Sequence, residues 1–209
     1  MRRAVHALTG RYGLVGCVSG RRAAMARRML GIGSIPYAGN HGAELLLRGD
    51  AEPRVDPEAA RWAARVHEVL GQVDPEELRE AGVRAEDKGP IAALHWRGAD
   101  DEEAAEALAR RIARRAETLG LSVHEGRKVL ELRPPVPIGK DVAVRGLLAA
   151  GPPDIDVALY VGDDRTDADA FAGLRALAEE GRLRRAICVG VRSDETPPEI
   201  EHGADALVD

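Results

Sequence analysis

The stretch from Asp156 to Phe171 constrains the fold more than any other part of the chain. It begins with the apolar run Val157-Ala-Leu-Tyr-Val161 and continues through Gly162 into Asp-Asp-Arg-Thr-Asp-Ala-Asp-Ala-Phe. A short, uninterrupted apolar run is typical of a parallel strand that is buried on both faces. Residues 170–179 then have the pattern of a helix. The stretch therefore predicts a strand, an acidic loop and a helix within an α/β sheet.

The acidic loop is a candidate metal site. Open α/β sheets place their ligand sites at the carboxyl ends of the strands, and Asp163, Asp164 and Asp167 follow this strand. Clustered carboxylates repel one another unless a cation lies among them, and Mg²⁺ prefers oxygen ligands. We expect Asp163 to be the best ligand. The alternative is a solvated turn in which these side chains cap the next helix.

The remaining pattern divides the chain into an α/β core and an inserted unit. Composition shifts at Arg48-Gly49-Asp50, and prolines mark the return to the core near residue 134. We predict a Rossmann-like parallel-sheet core made of residues 1–49 and 134–209, with an α+β cap over residues 50–133. The predicted core elements are strands 14–18, 35–38, 43–47, 157–161 and 186–189 and helices 22–30, 142–149 and 170–179. The predicted cap elements are helices 57–70 and 101–119 and strands 83–88, 91–96, 121–124 and 128–132.

Bulk composition narrows the class of partner. The 209 residues carry a formal net charge of −5, which gives no reason to expect nucleic acid or an anionic membrane as a partner. No apolar run reaches the roughly 18 residues that a membrane helix needs, and no signal peptide is visible. Cys17 and Cys188, the only cysteines, lie in apolar runs. We interpret them as buried free thiols of a cytoplasmic protein.

Two basic features of the core indicate an anion site. Ser19-Gly20-Arg21 follows a predicted strand, and its hydroxyl, its backbone amides and its guanidinium group suit an oxyanion. The alternative is that Ser19 is an ordinary helix N-cap. Lys140 stands at the start of a predicted helix, where its charge is unfavourable toward the helix dipole. That position indicates a bound phosphate or a carboxylate cluster nearby.

The cap carries polar side chains on adjacent predicted strands. Glu86 and Lys88 share one face of their strand, and His95 and Arg97 share one face of theirs. Glu131 points away from its two leucine neighbours. Such a face suits a phosphorylated, hydroxyl-rich ligand through charge-assisted hydrogen bonds. The alternative is a solvated sheet face with salt bridges.

A series of motifs, taken in order along the chain, resembles one known family. They are Cys17-Val-Ser-Gly-Arg21, Gly39-Asn-His-Gly-Ala-Glu44, Glu86-Asp-Lys-Gly89, His95-Trp-Arg97, Lys128-Val-Leu-Glu-Leu-Arg-Pro134, Lys140 and Gly162-Asp-Asp-Arg-Thr-Asp-Ala-Asp-Ala-Phe171. Together they are similar to the trehalose-6-phosphate phosphatases of the haloacid dehalogenase superfamily. The last motif is quite specific to that family, whereas Ser-Gly-Arg alone is not.

The resemblance implies a C2-type cap on the core and Mg²⁺-dependent hydrolysis of trehalose 6-phosphate to trehalose and phosphate through an aspartyl-phosphate. It leaves any association with a trehalose-phosphate synthase open. The implied phosphate-binding residues are Ser19, Gly20, Arg21 and Lys140, with Lys140 and Ser19 acting in catalysis. The implied metal residues are Asp163, with Asp164 and Asp167 in support. The implied substrate-binding residues are His41 and Gly42 in the core and Glu86, Lys88, His95, Arg97 and Glu131 in the cap.

One departure from the family pattern bears on activity. The first family motif, Asp-x-Asp-Gly-Thr, supplies the nucleophile and the general acid, and it is absent here; the first aspartate of the sequence is Asp50. We therefore expect an N-terminally truncated chain that lacks the central strand, leaves open edges beside that place and is inactive by itself. The alternatives are a non-catalytic fragment that binds trehalose 6-phosphate or has a regulatory role, and a phosphatase for a related sugar phosphate.

Overall fold

The computed structural model describes residues 2–194 and 196–209, which form two compact units. Unit 1 consists of Met1–Val55 and Pro137–Asp209, and unit 2 consists of Asp56–Val136. The predicted α/β fold class is confirmed, whereas the predicted ends of the cap at 50 and 133 stay predictions. No described helix is both long and apolar enough to span a membrane.

The secondary-structure elements are numbered in chain order. The helices are α1 (Arg2–Leu8), α2 (Ala23–Leu30), α3 (Pro57–Ala60), α4 (Ala63–Gly71), α5 (Pro75–Glu80), α6 (Glu102–Thr118), α7 (Lys140–Ala150), α8 (Asp167–Glu179) and α9 (Pro198–Gly203). The strands are β1 (Cys17–Val18), β2 (Tyr37–Gly39), β3 (Glu44–Leu46), β4 (Arg54–Val55), β5 (Arg84–Asp87), β6 (Ala92–His95), β7 (Ser122–Gly126), β8 (Val129–Arg133), β9 (Val157–Gly162), β10 (Arg185–Val191) and β11 (Ala206–Val208).

Unit 1 contains two sheets. In the first, of order β1-β2-β3-β4, β1 runs parallel to β2, while β3 pairs antiparallel with both β2 and β4. In the second, of order β11-β10-β9, every pair is parallel. The parallel pairing expected from the sequence is therefore observed for β1–β2, β9–β10 and β10–β11. Strand β3 differs, because it runs antiparallel to β2.

Within the described residues, β1 pairs only with β2 and β9 pairs only with β10, so no strand joins the two sheets. Helices α7 and α8 pack against each other, and Val144 and Leu174 from these helices share one apolar cluster with Val18 and Tyr160 from β1 and β9. Along β9, Val157, Leu159 and Val161 alternate with the packed residues and are exposed. Both sheets therefore share a helical layer, while each has an open edge.

Unit 2 is a four-stranded antiparallel sheet with helices. Its strand order is β5-β6-β8-β7. Helix α6 is capped by Asp101, whose side chain accepts a hydrogen bond from the Ala104 amide. Leu94, Leu130 and Leu132 share one core cluster with the buried face of α6. Because side chains alternate along a strand, the other sheet face carries the polar residues.

The predicted helix 57–70 is observed as two helices, α3 and α4, separated at Arg61-Trp62. The short α5 lies outside the predicted elements, although Asp74 caps it and proline occupies its first position. The predicted strand 14–18 is reduced to Cys17–Val18. Short elements with few apolar residues give the weakest periodic signal, which explains these differences.

Candidate active site

The turn after β1 is held on the neighbouring strand. The Ser19 amide donates to the Ala38 carbonyl oxygen at 2.9 Å, and the Ser19 Oγ accepts from the Arg21 amide at 3.1 Å. Helix α2 begins after Arg22, which makes no side-chain capping bond. Ser19 therefore caps its own turn and is not the N-cap of α2, and the guanidinium group of Arg21 belongs to an exposed residue.

The 3₁₀ turn Asn40–Gly42 lies against this loop. Asn40 and His41 have φ angles of 48° and 55°, and Gly42 has a φ of 103°. A Cβ added at Gly20 would lie 2.5 Å from His41 Nε2, and one added at Gly42 would lie 2.8 Å from the Ala143 amide nitrogen in α7. The sequence-predicted residues His41 and Gly42 are therefore packed between the Ser19 turn and the first turn of α7.

Lys140 is the first residue of α7, and its side chain is buried. Its Nζ lies 2.6 Å from Oδ1 of Asp167, which is also buried. The other oxygen, Oδ2, accepts the backbone amides of Asp163 and Asp164 at 3.1 and 3.0 Å. Asp167 therefore joins the lysine to the loop that follows β9.

Tyr160, a further partner of Asp167, was not among the predicted site residues. Its hydroxyl donates to Asp167 Oδ1 at 2.7 Å, and its ring meets Phe171 edge-on at a centroid distance of 6.0 Å. Burial and the Asp167 charge raise the pKa of Tyr160 far above its ordinary value, so the phenol stays a hydrogen-bond donor. The sequence signal for Tyr160 was the alternation of side chains along β9, which places Tyr160 on the same face as Ala158.

Asp163 and Asp164 lie exposed beyond the carboxyl end of β9. Asp164 Oδ1 accepts the Arg165 amide at 2.6 Å. In residues 2–194 and 196–209, no three or more His, Cys, Asp or Glu side chains are grouped closely enough to hold a metal by themselves. Mg²⁺ is usually held by one or two carboxylates and keeps several waters, so these two oxygen donors fit such an ion chemically.

In unit 2, Lys88, Glu131 and Arg133 form a buried charged cluster on the polar face of the sheet. Lys88 Nζ lies 2.9 Å from Glu131 Oε1, and Arg133 donates to Glu131 Oε2 from Nε at 3.0 Å and from Nη2 at 2.5 Å. Sequence reasoning missed Arg133, although it stands two residues after Glu131 on β8 and therefore shares its face. The cluster holds the Glu131 carboxylate in one orientation.

A second polar pair lies on the same sheet face. His95 Nε2 lies 3.0 Å from Glu86 Oε2, and Arg84 also approaches that carboxylate at 3.7 Å. Burial lowers the pKa of His95, while the Glu86 carboxylate opposes that shift. Arg97 is exposed in the turn after β6. The described polar contacts thus bring Glu86 to His95 and Lys88 to Glu131, and they leave Arg97 outside both groups.

Similar structures define the class of fold first. Over 99% of this chain and 85% of that chain, the structure is similar to a haloacid dehalogenase-like hydrolase from Bacteroides thetaiotaomicron, with a TM-score of 0.59 and 12% identity. A structure described as a trehalose-6-phosphate phosphatase related protein gives a TM-score of 0.73 at 22% identity, over 100% of this chain and 80% of that one. The chain therefore has the haloacid dehalogenase-like fold.

Sequence comparison defines the family. The profile of the trehalose-phosphatase family matches residues 1–197. The trehalose-phosphate phosphatase of Mycobacterium marinum is 32% identical over 166 residues, which cover 75% of this chain and 40% of that relative. The chain belongs to the trehalose-phosphatase family, and it spans less than half the length of this curated relative.

Proposed function

We propose that the chain acts in Mg²⁺-dependent hydrolysis of trehalose 6-phosphate to trehalose and phosphate. The observation that carries the proposal is the buried Lys140–Asp167 pair beside the loop that follows β9. Burying charges is unfavourable unless they are compensated. Buried ion pairs are therefore more frequent at functional sites than elsewhere in proteins. Family membership supplies the substrate class, in agreement with the sequence prediction.

In this proposal the core residues bind the phosphoryl group. The Ser19 hydroxyl accepts the Arg21 amide and keeps its own proton to donate to a phosphate oxygen, while Arg21 and Lys140 offset negative charge. Gly20 lets the backbone approach closely. His41 and Gly42 support this turn, because His41 packs so closely against Gly20 that an added Cβ would lie 2.5 Å from His41 Nε2.

Asp163 and Asp164 are the proposed Mg²⁺ ligands. Bound there, the ion would supply charge neutralisation at the phosphoryl oxygens. Asp167 supports the site by holding the Asp163 and Asp164 amides and by pairing with Lys140. Its two oxygens already accept these bonds and the Tyr160 hydroxyl, so we propose a supporting role for it and direct ligation for the other two.

The cap residues are proposed to recognise the sugar. Glu131, fixed between Lys88 and Arg133, presents a carboxylate on the polar sheet face, and Glu86 with His95 presents a second one. Carboxylates accept hydrogen bonds from sugar hydroxyls, and exposed Arg97 adds a donor. A related sugar phosphate would need the same kinds of hydrogen-bonding group, placed at different distances from one another.

A second candidate function is binding without turnover. No aspartate precedes Asp50 in the sequence, and β1 carries Cys17 and Val18 only, so these residues do not provide the nucleophile for an aspartyl-phosphate. The two free cysteines agree with the proposed cytoplasmic location.

Calorimetry with trehalose 6-phosphate and a phosphate-release assay, both with Mg²⁺, test the proposal. Turnover supports the enzyme, and binding without phosphate release supports the second candidate. Glu131→Gln is expected to weaken binding about tenfold because it weakens a charge-assisted acceptor. The control Glu125→Gln lies on β7 with its partner Arg110 on α6, and it should change nothing. Failure of trehalose, sucrose and glucose 6-phosphates to bind would refute both candidates.

The intact mass and N-terminal peptide of the protein from its own cells test the expectation about the first motif. A species that carries Asp-x-Asp would favour the phosphatase. A species that begins at Met1 would favour the binding function.

A further inference from the structure

Glu44, the first residue of β3, is a buried carboxylate that the proposed chemistry does not use. Only 1% of this residue is exposed. Its Oε2 accepts the Ala23 amide at 2.9 Å, and its Oε1 accepts Asn40 Nδ2 at 2.9 Å, while Arg22 Nε lies 3.5 Å from Oε1. A buried carboxylate is costly unless its lone pairs are satisfied, and here two separate segments satisfy them.

These two segments enclose the Ser19–Gly20–Arg21 turn. Ala23 begins α2 two residues after Arg21, and the Asn40–Gly42 turn lies against the Ser19–Gly20–Arg21 turn. The Asn40 amide donates to the Arg21 carbonyl oxygen at 2.8 Å, and the His41 amide donates to the Ser19 carbonyl oxygen at 3.1 Å. Glu44 therefore fastens both supports of the turn to one carboxylate.

The supports are under local strain and tightly packed. Asn40 and His41 both adopt left-handed backbone conformations, which are unfavourable for non-glycine residues. A Cβ added at Gly39 would lie 2.1 Å from the Ala23 amide nitrogen. Such a conformation persists only where the surroundings fix it, and the Glu44 carboxylate is the buried charged group that contacts both segments.

We infer that Glu44 is a positioning residue that holds the Ser19–Gly20–Arg21 turn in the conformation that accepts phosphate, without touching the ligand. The inference rests on the proposed phosphate-binding function of that turn. Glu44→Gln tests it, because a glutamine amide offers one acceptor oxygen to two donors, the Ala23 amide and Asn40 Nδ2. One of these donors then faces an NH₂ group, and the turn loosens.

The matched control is Asp205→Asn. Asp205 also accepts a backbone amide, that of Cys188 at 2.7 Å, and also pairs with an arginine, Arg175 at 3.0 Å. Both variants are expected to lower the melting temperature. Glu44→Gln should also raise the Kd for inorganic phosphate and for trehalose 6-phosphate about tenfold, whereas Asp205→Asn should leave both unchanged.

Amide hydrogen exchange gives a second readout. In Glu44→Gln the Arg21 and Ala23 amides should exchange about tenfold faster, while amides of α8 keep their rates. Equal Kd values and equal exchange rates in wild type and Glu44→Gln would overturn the inference. A wild type without phosphate affinity would overturn the proposed function, and exchange alone would then decide whether Glu44 orders the turn. If Glu44→Gln does not fold, Asn40→Gly replaces it, since glycine accepts the positive φ and the variant removes the hydrogen bond from Asn40 Nδ2 to Glu44 Oε1.

Discussion

Replacing Lys140 by methionine tests the buried ion pair most directly. The side chain keeps most of its length but loses the charge 2.6 Å from Asp167 Oδ1, so a buried carboxylate is left without its cation. Breaking a buried pair in this way costs about 3–5 kcal/mol. Removing a cation from the first turn of α7 also stabilises the folded state by about 0.5 kcal/mol, because the charge opposes the helix dipole.

The remaining contacts of Asp167 set the expected value. Tyr160 and the amides of Asp163 and Asp164 still donate to its oxygens, so the loss should lie at the lower end, about 3 kcal/mol. With a urea m-value of about 1–3 kcal/mol per molar, the unfolding midpoint should fall by roughly 1–3 M.

The chain offers separate probes for its two units. Both cysteines lie in unit 1, and both tryptophans, Trp62 and Trp96, lie in unit 2. Labelling of the buried Cys188 thiol in urea therefore follows unit 1, and tryptophan fluorescence follows unit 2. Lys140→Met should lower the midpoint that thiol labelling reports.

Arg184→Met is the matched control within unit 1, since Arg184 pairs with Asp156 at the surface, where such pairs contribute little. The double variant Lys140→Met/Asp167→Asn should recover part of the loss, because it also removes the unpaired charge. If Lys140→Met shifts the thiol-labelling midpoint no more than Arg184→Met does, the assignment of a buried, mutually dependent pair is wrong.

Three further predictions use the same probes. Tyr160→Phe should lower the stability of unit 1 by about 1.5–3 kcal/mol in the thiol assay, since Asp167 loses a buried hydrogen bond to its charge; no change would contradict the bond. Burial lowers the pKa of His95 below 6.5, so the unfolded state binds more protons and fluorescence-detected stability should fall as the pH drops below that value; His95→Gln should flatten this dependence. Cys188, fully buried and with its pKa raised by burial, should resist labelling until unit 1 unfolds, whereas half-buried Cys17 should react sooner; simultaneous labelling in native buffer would refute this.

The sequence predicted the regular elements that carry strong periodic signals. The hairpin strands β5 and β6 and the helices α6 and α8 were expected at nearly the observed positions, because alternating or helical apolar patterns and flanking glycines mark them. The antiparallel placement of β3 could not be predicted in the same way, since strand direction within a sheet depends on which distant strand accepts it. Its pairing with β2 is a tertiary choice.

The residues of the candidate site also differ in how far local sequence could predict them. Residues that follow strand ends, such as Ser19 and Asp163, were predicted as site residues from local sequence, because ligand sites collect there. The roles of Glu44 and Tyr160 depend on partners that neither local periodicity nor a short motif specifies, such as the Ala23 amide that Glu44 accepts. Arg133 was within reach, since strand alternation alone puts it beside Glu131.

The distribution of buried polar side chains gives the strongest physical argument that these regions are functional. Stability alone favours apolar residues at buried positions, because each buried charge must recover its lost hydration from a fixed set of partners. In the part of the chain that the structure describes, the buried polar and charged residues lie in two regions. The first, in unit 1, is the surroundings of the Ser19 turn and the start of α7 and α8. The second is the polar face of the unit 2 sheet. These residues are Asn40, His41, Glu44, Lys140 and Asp167 in unit 1 and Lys88 and Arg133 in unit 2. Polar groups selected only for folding would have no reason to collect around the turns that follow β1, β2 and β9 and on one sheet face, whereas the proposed phosphate and sugar sites would require them there.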